Sequence, residues 1–268
     1  MRIYIPSSGR AKNQTTLEHL PESIQQKVVI VVPPAELEEY KKHNSWVRVE
    51  APDIQAGIGP ARQWCCKQEQ YKVLMLDDDL VFATRRKDDL TKFRNADYAE
   101  IVDLFSRVEK NLDSFASVGV STREGGNRYT HDKDYDTRLL RVLAYRTDIL
   151  RTHKIRFDDI PVMEDFYVSL SLLTRGYRNV KLNHMVQNQN GSGLVGGCSQ
   201  YRTMDVQALA AHQLHDKFPE FVSVVQKETK TAWGGGVRTD VRIAWKKALK
   251  SAGGIRREEF RQLDLLGK

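Results

Sequence analysis

Apolar residues along this chain fall into two rhythms, short β-branched runs and longer stretches with a helical period. Residues 2–5 alternate polar and apolar and predict a first strand, from which Pro6-Ser7-Ser8-Gly9-Arg10 turns away. Residues 15–25 predict a weak helix broken at Pro21. Lys27 to Val32 is an unbroken β-branched run ended by Pro33-Pro34, the pattern of a strand buried on both faces. Glu/Lys spacing predicts a helix from Ala35 to His43, and Val47-Arg48-Val49 predicts a short third strand. Ile58 to Gln70 contains a helix starting near Pro60, a residue that suits the first helical turn. Lys72 to Leu76 predicts a fourth strand that runs straight into Asp77-Asp78-Asp79.

The second half continues the alternation. Ile101, Val102, Leu104, Phe105, Val108 and Leu112 recur at helical spacing between Tyr98 and Phe115. Ala116 to Val120 predicts a strand, residues 121–137 a polar loop with two glycines, and Leu139 to Tyr145 another strand. Glu164 to Arg175 predicts a helix closed by Gly176. Val180 to His184 is a late strand, Gln189 to Gly197 a glycine-rich loop, and Met204 to Phe218 a helix. A last helix is expected from Thr239 to Lys250, beyond Gly234-Gly235-Gly236. Strands alternating with helices imply the α/β class, a mostly parallel Rossmann-like sheet with helices on both faces. With the triple glycine as hinge, residues 1–233 are expected to form the main domain and 234–268 a basic helical extension.

Composition narrows the partners. A net charge of +7 over 268 residues favours an anionic partner: nucleic acid, an anionic membrane or a phosphorylated small molecule. A generally basic protein with no such partner fits the same number. No run of about 18 apolar residues occurs, so no membrane span is expected. The start, Met1 to Pro6, is too short for a signal peptide. The three cysteines, Cys65, Cys66 and Cys198, are odd in number with two adjacent, which argues against a disulfide framework; they form no CxxC pair, which argues against a structural zinc, and a reducing cytoplasm fits best.

The chemistry concentrates at Leu74-Met75-Leu76-Asp77-Asp78-Asp79. Adjacent carboxylates at the end of a buried strand repel and raise one another's pKa. A divalent cation removes that penalty, and hard oxygens suit Mg²⁺ or Mn²⁺ bridging to a diphosphate. Strand alternation is expected to send Asp77 and Asp79 to one side and Asp78 to the other. A solvated acidic turn, or acids gathered at a helix N-terminus, explains the triplet equally simply. Ser7, Ser8 and Arg10 offer donors in the first turn beside Pro6. Arg62, near a helix N-terminus, suits a phosphate or a base, or is an ordinary surface arginine.

A hydrophobic strand ending in Asp-x-Asp resembles the GT-A glycosyltransferases. Gly57-Ile58-Gly59-Pro60-Ala61-Arg62-Gln63 resembles their Gly-x-x-x-Ala-Arg-Asn helix start, with Gln in the last place. Met163-Glu164-Asp165 resembles their Glu-Asp motif. The resemblance implies a UDP-sugar donor held by Pro6, Ser7, Ser8, Arg10, Arg62, Asp77 and Asp78. It implies Mn²⁺ or Mg²⁺ on Asp77 and Asp79, with His184 as third ligand, although a lone His is more often structural. Asp165 would be the base of an inverting transfer, with Glu164 shaping the acceptor site. Gly191 and Ser192 would close over the diphosphate, or belong to a surface loop.

More specifically, residues 1–215 are similar to the TET/J-binding-protein-associated DNA glycosyltransferases, which include phage enzymes and the base J glucosyltransferase. That likeness implies an acceptor of 5-hydroxymethylpyrimidine in duplex DNA, flipped out to reach the sugar. Arg85, Arg86, Lys87, Lys92 and Arg94, with Arg123, Arg128 and Lys133, would border the acceptor cleft, and Tyr129 and Tyr135 could stack on bases. A transferase for a lipid, cell-wall polymer or protein acceptor would share every donor motif. A nucleotidyltransferase would need a first loop richer in glycine than Pro6-Ser7-Ser8-Gly9-Arg10. A non-catalytic DNA-binding protein on a decayed transferase fold sits poorly with intact Asp77, Asp79 and Asp165.

Overall fold

The computed structural model of the chain describes residues 1–125, 127, 131–189, 202–229 and 236–255. Its strands are β1 (Arg2–Pro6), β2 (Val28–Val31), β3 (Arg48–Glu50), β4 (Lys72–Leu76), β5 (Leu80–Arg85), β6 (Phe93–Asn95), β7 (Ser117–Thr122), β8 (Lys133–Tyr135), β9 (Val142–Arg146), β10 (Asn179–Gln189), β11 (Val222–Thr229) and β12 (Gly236–Ile243). Its α-helices are α1 (Thr15–His19), α2 (Glu22–Gln25), α3 (Leu37–His43), α4 (Ile58–Gln68), α5 (Tyr98–Asn111), α6 (Thr147–Thr152), α7 (Glu164–Leu173), α8 (Met204–Lys217) and α9 (Trp245–Ser251).

A ten-stranded sheet runs in the order β3-β2-β1-β4-β9-β7-β10-β5-β6, with β8 also on β10. Its first four strands are parallel. β9 enters antiparallel between β4 and β7, and β10 then lies parallel to β7. β4 and β7 therefore point the same way, and their carboxyl ends share one edge with the end of β1. Period-two alternation fills both faces. Ile3, Ile5, Leu74, Leu76, Val118 and Val120 pack on one face with Ile101, Leu104, Phe105 and Val108 of α5. Tyr4, Val73, Met75, Leu143 and Tyr145 pack on the other with Cys65 and Cys66 of α4 and Val168 and Leu172 of α7. The α5 start is set by a capping box, in which Asp97 Oδ1 accepts from Glu100 N at 2.9 Å and Asp97 N donates to Glu100 Oε2 at 3.0 Å.

The structure departs from the sequence reading in several places, among them Lys133–Tyr135, which pairs with β10 as β8 inside the stretch expected as a loop over 121–137. Leu80–Arg85 is a strand, because the acidic triplet is a tight turn that sends the chain back as β5 along β10. The strand expected from Leu139 begins only at Val142, because Arg141 has a positive φ of 64°. The helix expected over Thr239 to Lys250 is helical only in its second half; Thr239 to Ile243 belong to β12, which pairs antiparallel with β11 from Val222↔Ile243 to Thr229↔Gly236. Val237, Val241 and Ile243 are β-branched, and helical structure is confined to Trp245–Ser251. Among the described residues, 236–255 thus form a strand and a short helix.

This segment is joined to the body. Val222, Val241 and Ala248 share a buried cluster with Phe166, Leu170 and Leu173 of α7 and Leu214 of α8. No helix among the described residues is long and apolar enough to cross a membrane. Replacing the fully buried Leu214 by Ala is expected to cost about 2–5 kcal/mol. A urea titration should show it as a lower midpoint in a single transition, since the cluster joins hairpin and body.

Candidate active site

The Asp triplet sits where β4 stops, with Asp77 N donating to the Arg141 carbonyl at 3.0 Å. Thr16 of α1 holds the turn. Its N–H donates to Asp78 O at 3.0 Å, its hydroxyl donates to Asp77 O at 2.5 Å, and its Oγ1 accepts from Leu80 N at 2.8 Å. Because the chain has left the strand, side-chain alternation does not hold. Asp78 and Asp79 share one cation, Arg10, whose Nη1 lies 2.5 Å from Asp78 Oδ1 and 3.0 Å from Asp79 Oδ2. Asp77 instead faces Arg62, at 2.8 Å. The expected division, with Asp77 and Asp79 on one side and Asp78 on the other, is therefore corrected.

The first turn meets the triplet through a directional chain of hydrogen bonds. Ser7 donates to Asp78 Oδ2. Its oxygen accepts from Gln14 Nε2 at 2.8 Å and lies 2.7 Å from the Tyr40 hydroxyl. The Tyr40 hydroxyl also accepts from Arg10 N at 3.0 Å. Burial pushes the Tyr40 phenol up to about 12, so it stays protonated and available as a donor. Ser8 Oγ and Gly9 N donate to Glu36 at 2.8 and 2.7 Å. Pro6 ends β1.

Arg62 links the triplet to α7. Its Nη1 donates to Glu164 Oε1 and its Nη2 to Asp77 Oδ1. Arg62 and Glu164 are buried, and Asp77 keeps 28% of its side chain exposed. The residues around Arg62 explain how this meeting is built. A Cβ on Gly59 would lie 2.8 Å from the Phe157 carbonyl oxygen, so the start of α4 approaches the Phe157–Asp159 turn as only glycine allows. Gln63 Oε1 accepts from Phe157 N at 3.0 Å. Met163, at the head of α7, has a φ of 63°, a strained value for a non-glycine residue, and it turns Glu164 inward. Asp165 beside it is half-buried, and among the described residues its carboxylate takes no hydrogen bond.

Electrostatics follow from this crowding. Burial, with Asp79 and Asp78 adding to it, pushes the Asp77 carboxyl up to about 6 although Arg62 pulls it down. Burial also raises Asp78 against the pull of Arg10, and raises Glu164 against that of Arg62. Among the described residues no group of His, Cys, Asp and Glu forms a ready cage for a metal ion. Asp79 Oδ1 accepts from Gln189 Nε2 at 3.0 Å, while Asp77 Oδ2 takes no hydrogen bond among the described residues. Hard carboxylate oxygens of this kind fit a Mg²⁺ or Mn²⁺ held jointly with a diphosphate, since Mg²⁺ commonly takes only one or two protein carboxylates.

The structure brings Ser7, Arg10, Arg62, Asp77, Asp78, Asp79 and Glu164 together. It does not bring His184. Gln189 is the β10 residue that reaches Asp79, and His184 lies five positions back, roughly 16 Å at the rise of a strand. Burial lowers the pKa of His184, and its charged surroundings are Arg107, Asp103, Asp132 and Arg85. The third-ligand expectation is therefore corrected. Gly191, Ser192, Arg128 and Tyr129 lie outside the described residues. Arg85 is buried and donates to the Asn183 and Leu90 carbonyls, which removes it from any cleft rim. Arg86, Lys92 and Arg94 form ion pairs with Asp88, Asp89 and Glu100. The Tyr135 ring is covered by Arg178, 4.8 Å from its centre, and Lys133 donates to Asn111. Sequence reading missed Gln14, Thr16, Tyr40 and Gln189. Only Tyr40 left a signal, as the one aromatic residue in a Glu/Lys helix.

A family model described as TET-Associated Glycosyltransferase matches residues 1–197, most of the chain. The chain belongs to this family. It is a glycosyltransferase with a GT-A-type α/β fold. A comparison with curated proteins gives no match. Among solved structures, GalNAc-T7 with UDP, GalNAc and Mn²⁺ is 12% identical at a TM-score of 0.43, over 70% of this chain and 43% of that one. A mannose-1-phosphate geranyltransferase from Thermus thermophilus is 11% identical at 0.42, over 69% and 75%. The 4-diphosphocytidyl-2C-methyl-D-erythritolsynthase of Anaerococcus prevotii is 11% identical at 0.43, over 79% and 95%. Likenesses at this level carry no functional weight.

Removing Arg62 strands two carboxylates. Arg62→Met is expected to destabilise by about 3–5 kcal/mol, and adding Glu164→Gln should recover part of the loss in a double-mutant cycle read by denaturant unfolding. A second test uses pH. The folded Asp77 carboxyl titrates near 6 and an unfolded one near 3.9, so the folded state holds the extra proton between these values and stability falls as pH rises across that window. Asp77→Asn cannot titrate. Its melting temperature relative to wild type should therefore climb between about pH 4 and 6 and level off above.

Proposed function

We propose that this glycosyltransferase moves a sugar from a UDP-sugar onto the hydroxyl of a 5-hydroxymethylpyrimidine in duplex DNA, inverting the anomeric centre. The observation that carries the reading is the Arg62 bridge, which ties Asp77 on the donor side to Glu164 in the Glu-Asp pair that heads α7. Donor and acceptor chemistry are thus fixed to one buried cation. A Mg²⁺ or Mn²⁺ held by Asp77 and Asp79 would neutralise the donor diphosphate. Ser7, Arg10 and Asp78 shape the adjoining nucleotide subsite. Asp165 takes the proton from the acceptor hydroxyl as its oxygen attacks the anomeric carbon and the bond to the diphosphate oxygen breaks. Glu164 cannot share that role while Arg62 engages it.

A DNA acceptor is supported by charge as well as by the family's name. Exposed Arg242, Lys246, Lys247 and Lys250 lie at the C-terminal hairpin and α9. The Trp245 ring at the head of α9 lies 5.8 Å from that of Phe166, which sets α9 beside α7. Lys and Arg there suit phosphates without reading sequence. Cys65 and Cys66 are buried free thiols, which fits a reducing cytoplasm.

The test incubates the protein with Mn²⁺, a panel of UDP-sugars, and DNA with or without 5-hydroxymethylpyrimidines, followed by mass spectrometry of the nucleosides. A hexose or pentose added only to the modified base is expected. Sugar release indifferent to every DNA would overturn the acceptor and leave the donor standing. Asp165→Asn should lower kcat by about 10²- to 10⁴-fold with little change in UDP-sugar binding.

A further inference from the structure

Arg141 stands immediately before β9, between the carboxyl ends of β4 and β7. That edge of an α/β sheet is where ligands bind. The backbone there is held in an uncommon shape. Val142 N donates back to the Leu140 carbonyl at 2.7 Å across Arg141, whose φ of 64° gives the strained form of the three-residue turn. Such a turn persists where neighbours over-determine it. Here the Leu76↔Val142 pairing fixes one side, and Leu139, packed against the bare Cα of Gly119, fixes the other.

The turn abuts the triplet, since the Arg141 carbonyl accepts from Asp77 N at 3.0 Å, and the Arg141 charge bears on Asp77. The side chain is 15% exposed. Its Nη1 is sealed from solvent and makes no hydrogen bond among the described residues. Its Nη2 lies 3.5 Å from the exposed Glu124, too far for a good hydrogen bond. The other two guanidinium groups of the site are committed, Arg10 to Asp78 and Asp79, Arg62 to Asp77 and Glu164. A guanidinium offers five donors in a fork that matches phosphate oxygens, and a buried donor left unanswered is costly. We propose that Arg141 binds the terminal phosphate of the donor's diphosphate and stabilises its charge as the sugar leaves. This rests on the nucleotide-sugar reading above.

The experiment measures binding of uridine, UMP and UDP by calorimetry, with Mn²⁺ present, to wild type, Arg141→Asn and Arg141→Lys. Asn tolerates a positive φ, so the turn survives the truncation. UDP affinity is expected to fall about 10- to 100-fold in Arg141→Asn, with uridine and UMP within about twofold of wild type. Arg141→Lys should recover part of the loss, and it is the variant to rely on if the Asn substitution prevents folding. In that case a UDP affinity for Lys below wild type, with UMP unchanged, supports the assignment. UDP affinity unchanged in both variants overturns it, as does a fall in uridine, UMP and UDP alike, which would mark Arg141 as a support of the turn only. Wild type that binds UDP no better than uridine overturns the donor reading itself, whatever the variants do.

Discussion

Arg62 supplies the charge that lets Asp77 and Glu164 occupy one largely buried space. Two carboxylates drawn from water toward each other would repel, and either would sooner take a proton than stay charged. One planar guanidinium resolves the conflict geometrically, since Nη1 serves Glu164 and Nη2 serves Asp77. Much of the surrounding architecture follows from the need to place that guanidinium. The bare Cα of Gly59, the Gln63 contact to Phe157 N and the inverted backbone of Met163 each bring α4 and α7 close enough for the bridge to form.

The other half of the site uses the same logic with softer parts. Asp78 and Asp79 share Arg10, but the arrangement is steadied by neutral groups: Ser7, Gln14, Tyr40, Thr16 and Gln189. Neutral donors orient carboxylates without cancelling their charge. Proton affinity is raised at Asp77, first by burial and then by its two acidic neighbours. A carboxyl whose charged form is disfavoured by burial and like charge is one that gains from an added cation.

The layering was legible in the sequence because burial writes period two and period three-and-a-half directly into the chain. Val28–Val31 and Lys72–Leu76 were readable as interior strands, and Tyr98–Asn111 as an amphipathic helix. The site was legible as residue types, less so as geometry. Asp77 to Asp79 stood out, yet alternation assigned their directions wrongly, because periodicity lapses where a strand becomes a turn. His184 stood out as a lone histidine, and only the register of β10 against β5 shows which of its residues faces the triplet. Gln189 does so, and an amide in a polar stretch carries no local mark. The C-terminal hairpin was hidden for another reason. Its basic residues fit either a helix or a strand, and pairing with β11 decides, which is a non-local fact.

Neighbouring acids with different surroundings acquire different chemistry. Glu164 and Asp165 are adjacent in sequence, and a motif alone does not distinguish them. Position on α7 does. Glu164 turns inward to Arg62 and is spent on structure, while Asp165, a helical step away, remains half-buried and uncommitted. A carboxylate locked against a guanidinium is a poor acceptor for a substrate proton, because accepting it would break the pair. An uncommitted carboxylate has no such obstacle. The proposal of Asp165 as base thus rests on what Glu164 is already doing, at the head of a helix entered through the positive φ of Met163.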